Sequence, residues 1–323
     1  MSSPPRLSVA IPVYDEEAVL PELLARLGNV LDAIPGGPHQ ILFVDDGSRD
    51  GSLALLRAAA QRDGRIAVVA LSRNFGHQAA ISAALDHAEG DAVVIMDADL
   101  QDAPEEIPRL LAAHAEGYDV VYARRVRRKE GLLLRFAYAA FYRLAAALAE
   151  TPLPLDSGDF ALLSRPVVDA LRQARERHRY LRGLRSWVGF RQVGIEVERA
   201  RRAGGEPKYG LARLTRLALD GLFAFSVLPL RAAALLGLTA LVASGGYTLY
   251  ALWAKLALHR SPQGFTALIL VITFLAGIQL LFLGVIGEYV GRVYEEVKAR
   301  PIYLVREIVR GAPPGETPVA SAR

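Results

Sequence analysis

Four short apolar runs, Leu7–Val13, Gln40–Val44, Ile66–Leu71 and Asp91–Met96, alternate with stretches of helical apolar spacing. A strand that is apolar along its whole length must be covered on both faces. Alternation with helices therefore predicts a mostly parallel sheet with helices on either side, an α/β fold. The first helix is expected from Ala18 to Ile34 on the spacing of Val19, Leu23, Leu24, Leu27 and Leu31, and Pro35-Gly36-Gly37-Pro38 stops it. Others are expected near Ser52–Arg62, through Leu85 and from Glu105 to Glu116, with a fifth strand at Asp119–Ala123.

Three of the runs end in polar loops: Tyr14–Glu17, Asp45-Asp46 and Asp97–Asp102. In a parallel sheet these loops share one edge, the edge where open α/β sheets bind ligands. In extended chain Asp97 and Asp99 would point to the same side. Two close carboxylates repel unless a cation lies between them, and hard oxygen donors suit Mg²⁺ or Mn²⁺. Magnesium takes few protein carboxylates and fills its shell with water and phosphate oxygens, so the pattern predicts a metal–diphosphate clamp. A dinucleotide fold would need Gly-x-Gly-x-x-Gly after the first strand; Pro12-Val13-Tyr14-Asp15 stands there instead.

The chain has no cysteine, which excludes disulfides, thiolate metal sites and thiol nucleophiles. Net charge is only +4, yet arginine gathers at Arg124, Arg125, Arg127 and Arg128 and again from Arg172 to Arg216. Phosphates or an anionic membrane face are the partners this predicts. No nucleic-acid module accompanies the charge, so nucleic acid is not expected. Leu7–Val13 is too short for a secretory signal.

Hydrophobic residues make up 52% of the chain, and the excess lies after residue 230. Two charge-free stretches, about 232–254 and 265–287, each reach the ~20 residues that cross a hydrocarbon core. They predict a transmembrane hairpin. Arg231 before it, and Arg292, Lys298, Arg300, Arg306 and Arg310 after it, put both ends in the cytoplasm by the positive-inside tendency. Leu132–Ala149 and residues 211–230 have the composition of amphipathic helices at a membrane surface. The expected domains are 1–210 catalytic and cytoplasmic, 211–230 interfacial, 231–290 hairpin and 291–323 a cytoplasmic tail, disordered from Pro313. Asp156-Ser157-Gly158-Asp159-Phe160 reads as a tight turn, and Arg172–Arg191 as a basic helical stretch.

Taken in order, these motifs resemble family 2 glycosyltransferases of GT-A fold, with a C-terminal two-helix membrane hairpin. More narrowly they resemble polyprenyl-phosphate glycosyltransferases such as bacterial undecaprenyl-phosphate glucosyltransferases and dolichol-phosphate mannose synthase. The resemblance runs from about Leu7 to Arg310. It rests on Ile11–Glu17, Phe43–Ser48, Leu71–Gln78, Met96–Asp102, Ser157–Phe160 and Arg185–Phe190. It implies inverting transfer of a hexose, UDP-glucose being the first donor, to undecaprenyl phosphate at the inner membrane. UDP-linked amino sugars and GDP-mannose stay open as donors, as does a homo-oligomer. A hydroxyl-bearing lipid acceptor and an inert scaffold of the same fold are the competing readings.

By resemblance Pro12, Tyr14 and Glu16 line the nucleotide base, and Asp46 with Asp45 binds base or ribose. Arg73 joins the nucleotide site. Asp97 and Asp99 hold nucleotide and metal, and Gln101 faces the donor sugar. Asp159 matches the acid often proposed as the base, and Arg201, Arg202, Lys208 and Tyr209 match a segment that closes over phosphates. Ala103, Ala161 and Pro207 stand where the family commonly has Pro, Arg and Ser. No Gln-x-x-Arg-Trp motif accompanies Trp187, so a single transfer per acceptor is implied. A phosphate monoester has a second pKa of about 6 and needs little deprotonation at neutral pH, which favours an orienting role for Asp159.

Overall fold

The computed structural model describes residues 6–125, 157–174, 176–177, 179–197, 228–257 and 264–311. Arg127, Arg128, the helix expected at Leu132–Ala149, Asp156, Arg201, Arg202, Lys208, Tyr209, most of 211–230 and the end from Pro313 lie outside the described residues.

One eight-stranded sheet organises the first of two compact units. Its strands are β1 (Leu7–Val13), β2 (Gln40–Asp45), β3 (Ile66–Leu71), β4 (Ala92–Ile95), β5 (Val120–Arg125), β6 (Ser157–Ser164), β7 (Gln192–Val197) and β8 (Val305–Arg310), in the order β7-β5-β6-β4-β1-β2-β3-β8. Strands β4, β1, β2 and β3 are mutually parallel, as the apolar runs predict. Strand β6 runs antiparallel to β4 and β5, and β8 antiparallel to β3.

Side-chain alternation splits the core. Leu7, Val9, Ile11 and Val13 of β1 pack with α1 (Leu20–Asp32), α2 (Ser52–Arg62) and α4 (Ile107–Ala115). Ala10, Leu42, Val44, Val93 and Ile95 face α3 (His77–His87), α5 (Arg165–Gln173) and α6 (Leu181–Trp187). Leu20, Leu23, Leu27 and Leu31 give α1 one buried stripe, and Pro21 occupies its first turn, where no N–H is needed.

Three expectations are corrected. Ser157–Phe160 is the start of strand β6, not a tight turn: Phe160, Ala161, Leu162 and Leu163 are buried between β4 and β5, and this packing overrides the turn-like Ser-Gly-Asp. Arg172–Arg191 is not one helical stretch but the end of α5, the short helix α6 and the approach to β7. Residues 305–310, expected within a tail, form β8, which covers the edge of β3.

The second unit contains α7 (Leu228–Ala257) and α8 (Phe265–Val297). Within α8, the segment Phe274–Val297 holds an 18-residue window of mean hydropathy 1.7, none of it buried. At 1.5 Å per residue these 24 residues span about 36 Å, enough for a hydrocarbon core of about 30 Å. The apolar core of α7, Ala233–Tyr247, is shorter. Among the described residues, one segment thus meets the length and composition of a span, where two were expected.

Candidate active site

The C-terminal ends of β1 and β2 carry two loops that are laced together. Asp15 and Glu16 donate their backbone N–H groups to the hydroxyls of Ser48 and Ser52, and Asp15 Oδ1 accepts from Arg49 N–H at 2.7 Å. Glu17 Oε2 accepts from Gly51 N–H at 2.8 Å. Pro12 lies inside β1 beside Val44, while Tyr14, just past the strand, is 38% exposed.

Asp45 is fully buried; its Oδ1 accepts a long 3.4 Å bond from Ser48 N–H, and its Oδ2 has no partner. An unsatisfied buried carboxylate oxygen at a loop edge is an acceptor held ready for a donor. Asp46 is spent differently: its two oxygens accept from Phe75 N–H at 2.7 Å and Gly76 N–H at 2.9 Å, latching the loop after β3. Burial pushes its carboxyl up, against the pull of those two N–H groups. Gly47 makes the close approach feasible. Its φ is +72°, and a Cβ there would lie 2.6 Å from the carbonyl carbon of Arg73. In the same loop the Arg73 guanidinium stacks over the Phe75 ring at 4.0 Å.

Asp97 follows β4 by two residues, and the chain turns at once, with Leu100 at φ 56°. Asp97 and Asp99 are therefore presented by a turn rather than by extended chain. Asp99 Oδ1 accepts from Gln101 N–H at 3.1 Å and fixes the turn. Both acids are half-buried. Among the described residues no group of three acids or histidines is gathered for a metal. Two carboxylates on one turn still fit a divalent ion of the Mg²⁺ type, which draws its other ligands from water and substrate phosphate.

The antiparallel register of β4 and β6 pairs Ala92 with Ser164 and Ile95 with Ala161. Carried two residues onward, it sets Asp97 opposite Asp159. His77, the first residue of α3, closes the gap: its Nε2 lies 3.6 Å from Asp97 Oδ1 and 3.6 Å from Asp159 Oδ2. Hydrogen bonding to Asp159, with the charge of Asp97 added and burial opposing, raises the His77 pKa. Arg182 forks Asp159 from the other side, Nε to Oδ1 and Nη2 to Oδ2, each at 2.7 Å. Burial pushes Asp159 up, but Arg182 and His77 outweigh it and hold the carboxyl well below the usual range. Each Asp159 oxygen thus accepts one hydrogen bond from Arg182.

Helix α6 supplies that fork. Its first N–H, on Leu181, donates to Gln78 Oε1 of α3 at 3.0 Å, which ties the arginine helix to the histidine helix. Arg182 and Arg185 lie one turn apart on it, and Arg185 reaches Gly158 O beneath Asp159. The sequence motifs do not point to His77 or Arg182 as partners of Asp159. The i, i+3 arginine spacing next to an apolar Leu181–Leu184 stripe was the available signal. Asp97 and Asp159 are brought together; Asp45 and Asp46 sit along the same sheet edge, at the end of β2.

Residues 8–172 match the family model described as glycosyl transferase family 2. The uncharacterized glycosyltransferase YkcC of Bacillus subtilis (strain 168) is 42% identical over 95% of each chain. The SfII prophage-derived bactoprenol glucosyl transferase of Shigella flexneri is 37% identical over 95% of this chain and 100% of its own. The undecaprenyl-phosphate 4-deoxy-4-formamido-L-arabinose transferase of Pseudomonas paraeruginosa (strain DSM 24068 / PA7) is 38% identical over 95% of this chain and 91% of its own.

Proposed function

The chain belongs to glycosyl transferase family 2 and is a glycosyltransferase of GT-A-like α/β fold, and from that premise we propose that it transfers a hexose from a nucleotide diphosphate sugar to a polyprenyl phosphate. UDP-glucose is the first donor. The bactoprenol and undecaprenyl-phosphate transferases among the relatives support the lipid class, and their differing sugars keep UDP-linked amino sugars and GDP-mannose as alternatives.

The observation that carries the acceptor class is the Asp159–Arg182 pair. A sugar or lipid hydroxyl needs a base, and a carboxylate forked by arginine and held far below neutrality is a poor one. A phosphate monoester, dianionic above a pKa of about 6, needs none. Asp159 therefore orients, and the acceptor oxygen attacks the anomeric carbon in line as the nucleoside diphosphate leaves, inverting the centre. Asp97 and Asp99 would hold Mg²⁺ or Mn²⁺, whose charge offsets that building on the departing diphosphate. Pro12, Tyr14 and Glu16 frame the base, with Asp45 Oδ2 an acceptor for a nucleotide donor and Arg73 nearby; Gln101 faces the sugar. Arg201, Arg202, Lys208 and Tyr209 cover the phosphates.

The apolar stretches of α7 and α8 cross the cytoplasmic membrane as a hairpin, and residues 1–210 work at its cytoplasmic face. Incubating the detergent-solubilised full chain with UDP-glucose, UDP-N-acetylglucosamine or GDP-mannose tests the reading, with undecaprenyl phosphate, ceramide or diacylglycerol as acceptor. Glycosylated undecaprenyl phosphate is expected. Transfer to a hydroxyl lipid alone, or to nothing, overturns it.

A further inference from the structure

Arg185 is buried to 4% exposure, yet its guanidinium is mostly unspent. Nη1 donates one long bond, 3.5 Å, to Gly158 O, and the group sits 5.0 Å above the Tyr122 ring. Nε and Nη2 are buried without a partner. Burial lowers its pKa to about 10, so at neutral pH the side chain is charged. A charged buried group with two idle donors is costly, and Asp159, with Arg182 and Arg185 themselves, lines the same small cavity against Ile81, Ile95 and Leu171.

Arg182 binds Asp159 through Nε and Nη2, the same edge that lies idle on Arg185. The two arginines stand on successive turns of α6, and both line the cavity that Asp159 lines. Arg182 is also the accessible one, its side chain 32% exposed. We propose that the Arg182 fork is the subsite for the acceptor's phosphate monoester, and that Asp159 occupies it in the free protein and passes to the Arg185 fork when the phosphate arrives. This rests on the polyprenyl phosphate reading above.

A phosphate presents to a guanidinium the same pair of oxygens as a carboxylate, so the exchange preserves geometry at Arg182. In the free state one fork is filled and one idle; in the bound state both are filled. The difference, two buried N–H groups gained, is what lets the ligand drive the shift. The Asp159 charge is thus a competitor for the acceptor, and Arg185 is a positioning residue that takes the competitor away.

The test is titration of the detergent-solubilised full chain with geranyl phosphate, with UDP titrated alongside to report a folded donor half. Arg182→Gln and Arg185→Gln should each weaken geranyl phosphate by about tenfold or more, the worth of a charge-assisted pair, with UDP affinity kept within about twofold. In Asp159→Asn/Arg185→Gln the competing charge is gone, so affinity should return to within about threefold of wild type, a non-additive rescue that a merely structural Arg185 would not give. Wild-type affinity in Arg185→Gln, or a double variant as weak as Arg185→Gln, overturns the exchange. Should Arg185→Gln fail to bind UDP, Arg185→Lys is titrated in its place. It keeps the charge and lacks the planar fork, so the same loss is expected and undiminished affinity overturns the proposal. A wild-type protein that binds UDP and not geranyl phosphate removes the acceptor reading itself, and the exchange with it.

Discussion

Replacing Arg182 by Met strips Asp159 of both its 2.7 Å bonds and leaves a carboxylate whose side chain is 10% exposed. Breaking a buried pair by removing one partner costs about 3–5 kcal/mol. Arg182 is 32% exposed, and solvent screening lowers the expected loss to about 2–3 kcal/mol. For a unit of this size that is a fall of about 4–12 °C in Tm at pH 7, read by differential scanning fluorimetry. The pH dependence gives the sharper test. In the wild type the folded carboxyl is depressed, so its stabilisation is full above the unfolded value of about 3.9 and is lost as pH falls toward the folded pKa. In Arg182→Met burial is opposed only by His77, the carboxyl rises, and protonation relieves the variant as pH falls. The gap in Tm should therefore be widest near neutrality and shrink through the carboxylate range. Asp159→Asn/Arg182→Met should lose less than the sum of the two single variants. A gap constant from pH 7 to pH 4, or an additive double variant, would refute the account of Asp159 as a charge held by Arg182.

Asp99→Ala should lower turnover by about a hundredfold or more, because the support for leaving-group charge goes with it, while its circular dichroism stays that of wild type; near-normal turnover rejects the metal role. Asp159→Asn should retain more activity than Asp159→Ala, and the rate should rise through a pH of about 6 in wild type and Asn variant alike, following the acceptor phosphate; an acid limb that vanishes with the carboxylate restores Asp159 as a base. Reporter fusions after Ser261 and after Arg310 should report opposite sides of the membrane, and a common side excludes the hairpin.

The parallel heart of the sheet was legible because its strands are buried on both faces and therefore apolar throughout; β1 and β3 have the expected bounds. Strand β7 is different, since its Gln192, Val193, Gly194 and Ile195 are only partly buried at a sheet edge and carry no continuous apolar run. Strand β8 reads Val-Arg-Glu-Ile-Val-Arg, an exposed edge whose charges hide the alternation. At the site, acids that end strands announce themselves by position. The partners of Asp159 do not, because His77 and Arg182 reach it from α3 and α6, and only the packing of those two helices on the sheet makes them neighbours. Asp46 shows a second use that its motif does not reveal: one oxygen each accepts from Phe75 and Gly76 and latches the neighbouring loop.

The pairing of β8 with β3 joins residues 305–310 to residues 67–71 across both long apolar helices in the chain. During synthesis β3 is complete long before its neighbour exists, and its outer row of backbone donors and acceptors stays open while some 230 residues are still to come, a length set by the register itself. Synthesis of both apolar helices must therefore precede closure of the sheet. A ribosome halted between Phe265 and Leu304 would release a protein whose strands β1 to β7 are all present but whose flank is an unprotected template for another strand.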